Sequence, residues 1–115
     1  MEDRFTQQLK KGVLEMLVLK LICGKPAYGY ELLSELKTRS RGQLSLKEGT
    51  LYPILYRLED DGMILSHWST GEGRTAPKKI YEATEAGRTE NLRRQRIWRE
   101  FEETVNGFLQ GGAEQ

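Results

Sequence analysis

Residues 85–110 carry a hydrophobic pattern longer than a chain of 115 residues can cover with its own core. Leu92, Ile97, Trp98, Phe101, Val105, Phe108 and Leu109 recur at helical spacing. A helix of about 25 residues is roughly 37 Å long, more than a small three-helix core spans. Thr84 is the expected N-cap, with Glu85 at the positive end of the helix. Gly111-Gly112 ends it, and Glu90–Arg94, Arg96–Glu100 and Arg99–Glu103 place opposite charges four residues apart. The large apolar side chains of such a helix stand in water unless a partner covers them. The simplest cover is the same helix of a second copy in a twofold dimer. Folding back on its own domain needs a tight turn after Thr84, for which the sequence gives no obvious signal.

Composition agrees with a core made partly between chains. Hydrophobic residues are 37% and charged residues 30% of the chain, polar for a monomer of this size. The formal net charge of +1 does not announce a nucleic-acid binder, but the charge is unevenly placed. Lys37, Arg39, Arg41 and Lys47 follow one another with no acid between them, and Arg74, Lys78 and Lys79 are opposed only by Glu72. Acids gather at Glu59-Asp60-Asp61 and at Glu100, Glu102 and Glu103. Local basic patches on a neutral chain suit phosphate contacts. The single cysteine, Cys23, permits no internal disulfide and reads as a small buried hydrophobe. The longest apolar run, Val13 to Cys23, is broken by Glu15 and Lys20 and is too short to span a membrane. No signal peptide is visible, so a cytoplasmic location is expected.

Between these bounds the chain divides into regular elements. Residues 1–8 are polar and expected to fray. A first helix is expected from Leu9 to about Cys23 and ends at Gly24-Lys25-Pro26. A second runs from about Ala27 to Thr38, followed by a basic turn at Arg39 to Gln43. Leu44-Ser45-Leu46 alternates like a very short strand. Met63 to Ser69 and Lys78 to Thr84 read as two strands joined by an eight-residue loop, a hairpin with an extended tip.

The segment Glu48 to Gly62 reads as a third helix with two unlike faces. Leu51, Ile54, Leu55 and Leu58 form one apolar stripe. Gly49, Tyr52, Pro53 and Tyr56 point away from it, with Arg57 at the margin. Flat rings bearing hydroxyls and a guanidinium fork suit a groove lined by phosphates, sugars and thymine methyls; packing of the tyrosines on a neighbouring element is the alternative. Pro53 is tolerated if the helix starts at Gly49 or Thr50 with Thr50 as cap, or if Gly49 relieves the clash with the proline ring. Three helices, a hairpin and a long helix are the order of a winged helix-turn-helix with an appended helix. The expected fold is therefore mainly α with a small β-hairpin (α+β). Residues 1–84 form a DNA-binding domain and 85–115 a dimerisation helix and tail. In such folds the third helix enters the major groove while the hairpin tip approaches backbone or minor groove. A dimer would set two such helices about 34–36 Å apart, on an inverted repeat in double-stranded DNA.

The chain resembles the PadR family of prokaryotic transcriptional regulators. The resemblance is carried by Gly12-Val13-Leu14-Glu15 with Leu17-Val18-Leu19, by Tyr28-Gly29-Tyr30-Glu31-Leu32, by Glu48 to Gly62 with Ile64, and by Lys79-Ile80-Tyr81 through Thr84, Gly87 and Arg88. With Trp98-Arg99-Glu100-Phe101 it covers roughly residues 9–109. It implies a homodimeric winged-helix regulator, usually a repressor relieved by a small molecule or stress signal. It implies DNA contacts from Tyr28, with Tyr30 packing inward, and from Thr50, Tyr52 and Tyr56. Arg74, Lys78 and Lys79 match the family's basic wing. Together with the charge and helix-face readings, the expected DNA-facing set is Tyr28, Arg39, Arg41, Lys47, Thr50, Tyr52, Pro53, Tyr56, Arg57, Arg74, Lys78 and Lys79. The family's first and last helices build its dimer interface, which here implies Leu9, Val13, Leu92, Ile97, Trp98, Phe101, Val105 and Phe108. Some small members bind flat aromatic ligands between protomers. Trp98, with Phe101, matches that position and suits a planar, cationic effector, unless the two simply fill a dry dimer core. Ile80, where the family often has a second aromatic, and Glu72 in the wing depart from the pattern.

Other classes fit less well. A winged-helix protein-interaction module would bind no duplex even at low salt, and the basic wing argues against it. One His, one Cys, no metal-ligand cluster and no phosphate-binding loop argue against an enzyme, a metal or a cofactor. His67 reads as a strand-face residue.

Overall fold

The computed structural model describes residues 2–70, 73 and 76–111. The first helix, α1 (Arg4–Gly24), begins five residues before the expected Leu9. Asp3 is the reason: its carboxylate accepts a hydrogen bond from the Thr6 amide at 2.8 Å, which caps a polar turn that apolar periodicity alone does not reveal. The same bond holds the Asp3 carboxyl below its usual range. Leu14, Val18, Leu19 and Ile22 form the buried stripe of α1.

Ala27 and Tyr28, expected to open the second helix, instead form a two-residue strand, β1 (Ala27–Tyr28). Helix α2 (Gly29–Arg39) starts one residue later, where the Glu31 carboxylate accepts from the Tyr28 amide at 3.1 Å. Leu44-Ser45-Leu46 is not a strand. Its amide at Leu44 donates to the Ser40 hydroxyl at 2.8 Å, while Leu44 and Leu46 lean on the core. The sheet edge that a third strand needs is already taken by β1.

Helix α3 (Glu48–Asp60) is capped at Lys47, not at Thr50. The amides of Thr50 and Leu51 both donate to the Lys47 carbonyl, at 3.0 and 3.1 Å, so Thr50 lies inside the first turn. Pro53 therefore lies in the second turn, four residues after Gly49; a Cβ at Gly49 would meet nothing within 4 Å, so it is not the missing side chain that admits the proline ring. Strands β2 (Ile64–Ser69) and β3 (Lys78–Ala83) pair antiparallel, Ile64 opposite Ala83 through Ser69 opposite Lys78. Strand β1 pairs on the other side of β3, Tyr28 opposite Ile80, so the hairpin is part of a three-stranded sheet of order β1-β3-β2.

The core joins α1, α2, α3 and the sheet through Val18, Leu19, Ile22, Leu32, Leu51, Leu55, Leu58, Ile64 and Tyr81, each at most 2% exposed. Helix α4 (Glu85–Leu109) leaves this core at a built corner, which corrects the expectation that no turn signal follows Thr84. Thr84 supplies the turn itself. Its hydroxyl oxygen accepts from the Gly87 amide at 3.0 Å and its hydrogen reaches the Gly62 carbonyl at 2.6 Å. Gly87 then lies so close to Met63 that a Cβ there would sit 1.9 Å from the Met63 carbonyl oxygen. Arg88 adds a bond from Nη1 to the Cys23 carbonyl at 3.1 Å. Only Gly87 and Asn91 of α4 are buried. The rest runs outward, and the protein measures 65 × 35 × 21 Å. No helix among the described residues is long and apolar enough to cross a membrane.

Candidate nucleic-acid interface

Helix α3 buries Leu51, Ile54, Leu55 and Leu58 and turns Gly49, Pro53 and Tyr56 to solvent. Tyr56 is 54% exposed. Tyr52 is only half-buried, because it stands on the flank of the helix toward α2. A Cβ at Gly29 would lie 2.8 Å from its hydroxyl, so any side chain at the first residue of α2 would force this ring to shift. The Tyr52 and Tyr56 rings pack 6.2 Å apart at an interplanar angle of 34°. Tyr52 thus does packing work, while Tyr56 and Pro53 present the outward surface. Lys47 and Thr50 are exposed at the N-terminal end of the helix. Arg57 lies on the opposite flank and pairs through Nε with Glu15 of α1 at 3.3 Å.

The wing is sorted by the pleat of its strands, because consecutive residues on a strand face opposite sides. Lys78 shares a face with Tyr28, and its Nζ stands 4.3 Å from the centre of that ring. Lys79 shares the other face with Ser66, Trp68 and Tyr81, and its Nζ lies 5.7 Å from the Tyr81 ring centre. This second face looks toward α3, since the Ser66 hydroxyl donates to Glu59 of α3 at 2.6 Å. Tyr81 is 1% exposed, and burial, with Tyr52, Glu59 and Tyr56 nearby, pushes its phenol up to about 12. Arg74 lies outside the described residues.

Two residues of this surface escape sequence reasoning. Trp68 is 67% exposed beside Lys79, on the α3 side of the wing. The alternation of Ile64, Ser66 and Trp68 signals it: the face that begins in the core continues past the core's edge. Tyr30, expected to pack inward, is instead 72% exposed. The buried stripe of α2 is Gly29, Leu32 and Leu36, and Tyr30 stands off it, in line with Ser34, Lys37 and Arg41. Arg39 and Arg41 are exposed, Arg41 with a left-handed φ of 54° in the turn after α2.

A second surface lies along α1 and the free part of α4. Leu9, Gly12, Val13 and Met16 face Ile97, Trp98 and Phe101 across an open groove of ≈ 740 Å³. Leu92, Ile97, Trp98, Phe101, Val105 and Phe108 are all exposed, Phe108 at 82%. Phe5, in the turn expected to fray, extends the same apolar surface at 70% exposure. Arg94 crosses the groove wall to Glu15 at 3.4 Å and bonds Glu90 of its own helix at 2.7 Å. The bond from Arg94 holds the Glu90 carboxyl below its usual range.

A helix-turn-helix whose third helix exposes one face beside a basic hairpin defines a winged-helix protein. The sequence profile of the transcriptional regulator PadR-like family matches residues 18–93, and the chain belongs to that family. The family is one of DNA-binding transcriptional regulators, not enzymes. Among curated proteins, the chain is 31% identical to the transcriptional regulator Rv3488 of Mycobacterium tuberculosis, over 88% of this chain and 90% of that protein. Among solved structures, it is similar to a PadR family transcriptional regulator from Eggerthella lenta, with TM-score 0.80, 31% identity and coverage of 91% and 88%. It is also similar to a PadR-like regulator from Bacillus cereus, with TM-score 0.77, 31% identity and coverage of 90% and 97%.

Proposed function

We propose that the chain is a homodimeric repressor that binds an inverted repeat in duplex DNA and is released by a small-molecule or stress signal. The observation that carries this reading is the division of α3 into a fully buried leucine stripe and a flat outward face of Gly49, Pro53 and Tyr56. That face enters the major groove, and its lack of long polar side chains makes DNA shape and half-site spacing the main source of specificity. Lys47, Lys78 and Lys79, with Arg39 and Arg41 after α2, neutralise phosphates, and Tyr28, Thr50 and Tyr52 frame the contact. Arg74 is included as a phosphate contact on the family resemblance alone. Residues 1–84 are the DNA-binding unit, and 85–115 carry the dimer helix. A second copy covers Leu9, Val13, Leu92, Ile97, Trp98, Phe101, Val105 and Phe108, which among the described residues are all exposed except the half-buried Val13. The groove between α1 and α4, with Trp98 and Phe101 on one wall, takes a planar aromatic effector. Such an effector releases DNA only if it binds the two half-site spacings with different affinity.

Retention of random genomic duplex fragments, sequenced after washing at about 50 and about 200 mM salt, tests the reading. Salt-sensitive retention with enrichment of an inverted repeat is the expected result. No retention at the lower salt contradicts it.

A further inference from the structure

The Glu15 carboxylate is shared by two helices that otherwise serve separate surfaces. Its Oε2 faces Arg57 Nε of α3 at 3.3 Å, and its Oε1 faces Arg94 Nη1 of α4 at 3.4 Å. Glu15 and Arg94 each have side chains 24% exposed, whereas Arg57 is 58% exposed and free to swing outward. Arg94 and Glu15 also line the groove between α1 and α4. One carboxylate therefore stands between the groove wall and the flank of the DNA-facing helix, and two guanidinium groups share it, one on each oxygen.

We propose that Glu15 is a positioning residue that couples α4 to α3 by setting how firmly Arg57 is held away from DNA phosphate. The inference rests on the DNA-binding reading above. When Arg94 shares Glu15, the hold on Arg57 is weak and Arg57 transfers readily to a phosphate. When Arg94 is withdrawn, Glu15 serves Arg57 alone and the transfer becomes harder. Displacement of Arg94 on the groove side is thereby reported at the recognition helix without any shift of the core. Pairs of this exposure are weak singly, so the device adjusts affinity and does not switch it off.

The test is a double-mutant cycle on affinity for a duplex the protein retains, with dimer state and melting temperature measured alongside. Glu15→Gln, which keeps the shape and removes the charge, is expected to tighten binding about two- to fivefold. Arg94→Gln is expected to weaken it by a similar factor. Both effects are expected to vanish in an Arg57→Ala background, with dimer and melting unchanged between the paired variants. Effects of equal size with and without Arg57 would show that Glu15 and Arg94 act through general charge, and would overturn the coupling. No effect of either variant in the unaltered background would overturn it as well. Failure of the unmodified protein to bind any duplex would instead remove the DNA-binding reading itself.

Discussion

Lys78 lies over the Tyr28 ring, its Nζ 4.3 Å from the ring centre, while its neighbour Lys79 projects from the opposite face of the sheet. Two adjacent cations thereby serve two different surfaces. Lys78 belongs with the start of α2, and Lys79 with Trp68 on the side of α3. On the proposed DNA-binding reading the pair makes two separate phosphate contacts. Each single change to alanine is expected to reduce the slope of log affinity against log salt by about 0.9, and the double change by about 1.8, with the dimer intact. A slope unchanged in the Lys79→Ala protein would remove the α3 side of the wing from the contact.

Gly87 and Gly107 stand on the same helix in opposite circumstances. A Cβ at Gly87 would lie 1.9 Å from the Met63 carbonyl oxygen, a backbone atom, whereas one at Gly107 meets nothing within 4 Å. Gly87→Ala must push α4 off the corner made by Thr84 and is expected to cost about 2 kcal/mol or more. Gly107→Ala removes a flexible residue near an exposed helix end and is expected to stabilise by about 0.5 kcal/mol. Thermal melts of the two variants should move in opposite directions; a stable Gly87→Ala protein would show that the corner is not closely packed.

Trp98 and Phe101 line the α1–α4 groove, to which α3 contributes no residue. Trp98→Ala is expected to raise the dimer dissociation constant by about tenfold or more, as removal of a large aromatic from an interface centre does. DNA affinity should fall at low protein concentration and recover at high concentration. Sedimentation velocity against concentration checks this. Loss of DNA binding with an unchanged dimer would place Trp98 in the DNA contact instead.

The Tyr81 phenol, at about 12, should give a late step in an alkaline absorbance titration, well above the ordinary tyrosine value. Its folded value is raised above the ordinary 10. The neutral form is therefore favoured by folding, and the associated stability is intact below about pH 10 and lost as pH rises toward 12. Tyr81→Phe should flatten the fall in stability across that window. A Tyr81 that ionises with the others would mean that the core beneath the wing is open to water.

The apolar periodicities made the helices legible: the leucine stripe of α3, the Thr84 cap and the long α4 all follow from spacing and capping chemistry. Strand β1 was not legible, since two residues carry no period and Ala27-Tyr28 is a strand only because β3 offers it an edge. The Asp3 cap lies in a stretch where Phe5 is the one apolar residue before Leu9, too little to mark a period. Of the site, the outward face of α3 could be read, but not the sorting of Lys78 from Lys79, which depends on strand register. Tyr30 faces out although the resemblance implies packing, because the buried stripe of α2 runs through Leu32 and Leu36. The bond between Arg57 and Glu15 joins residues 42 apart in sequence, and no local pattern announces it.

In the proposed complex, two copies of α3 present their Gly49–Pro53–Tyr56 faces to one side of a duplex. Hydroxyl-radical footprinting on a retained genomic fragment tests it most directly. Two protected segments on one face of the DNA, with centres about 34–36 Å or one turn apart and related by a dyad, are the predicted result. A single protected segment, or none at low salt, would contradict it.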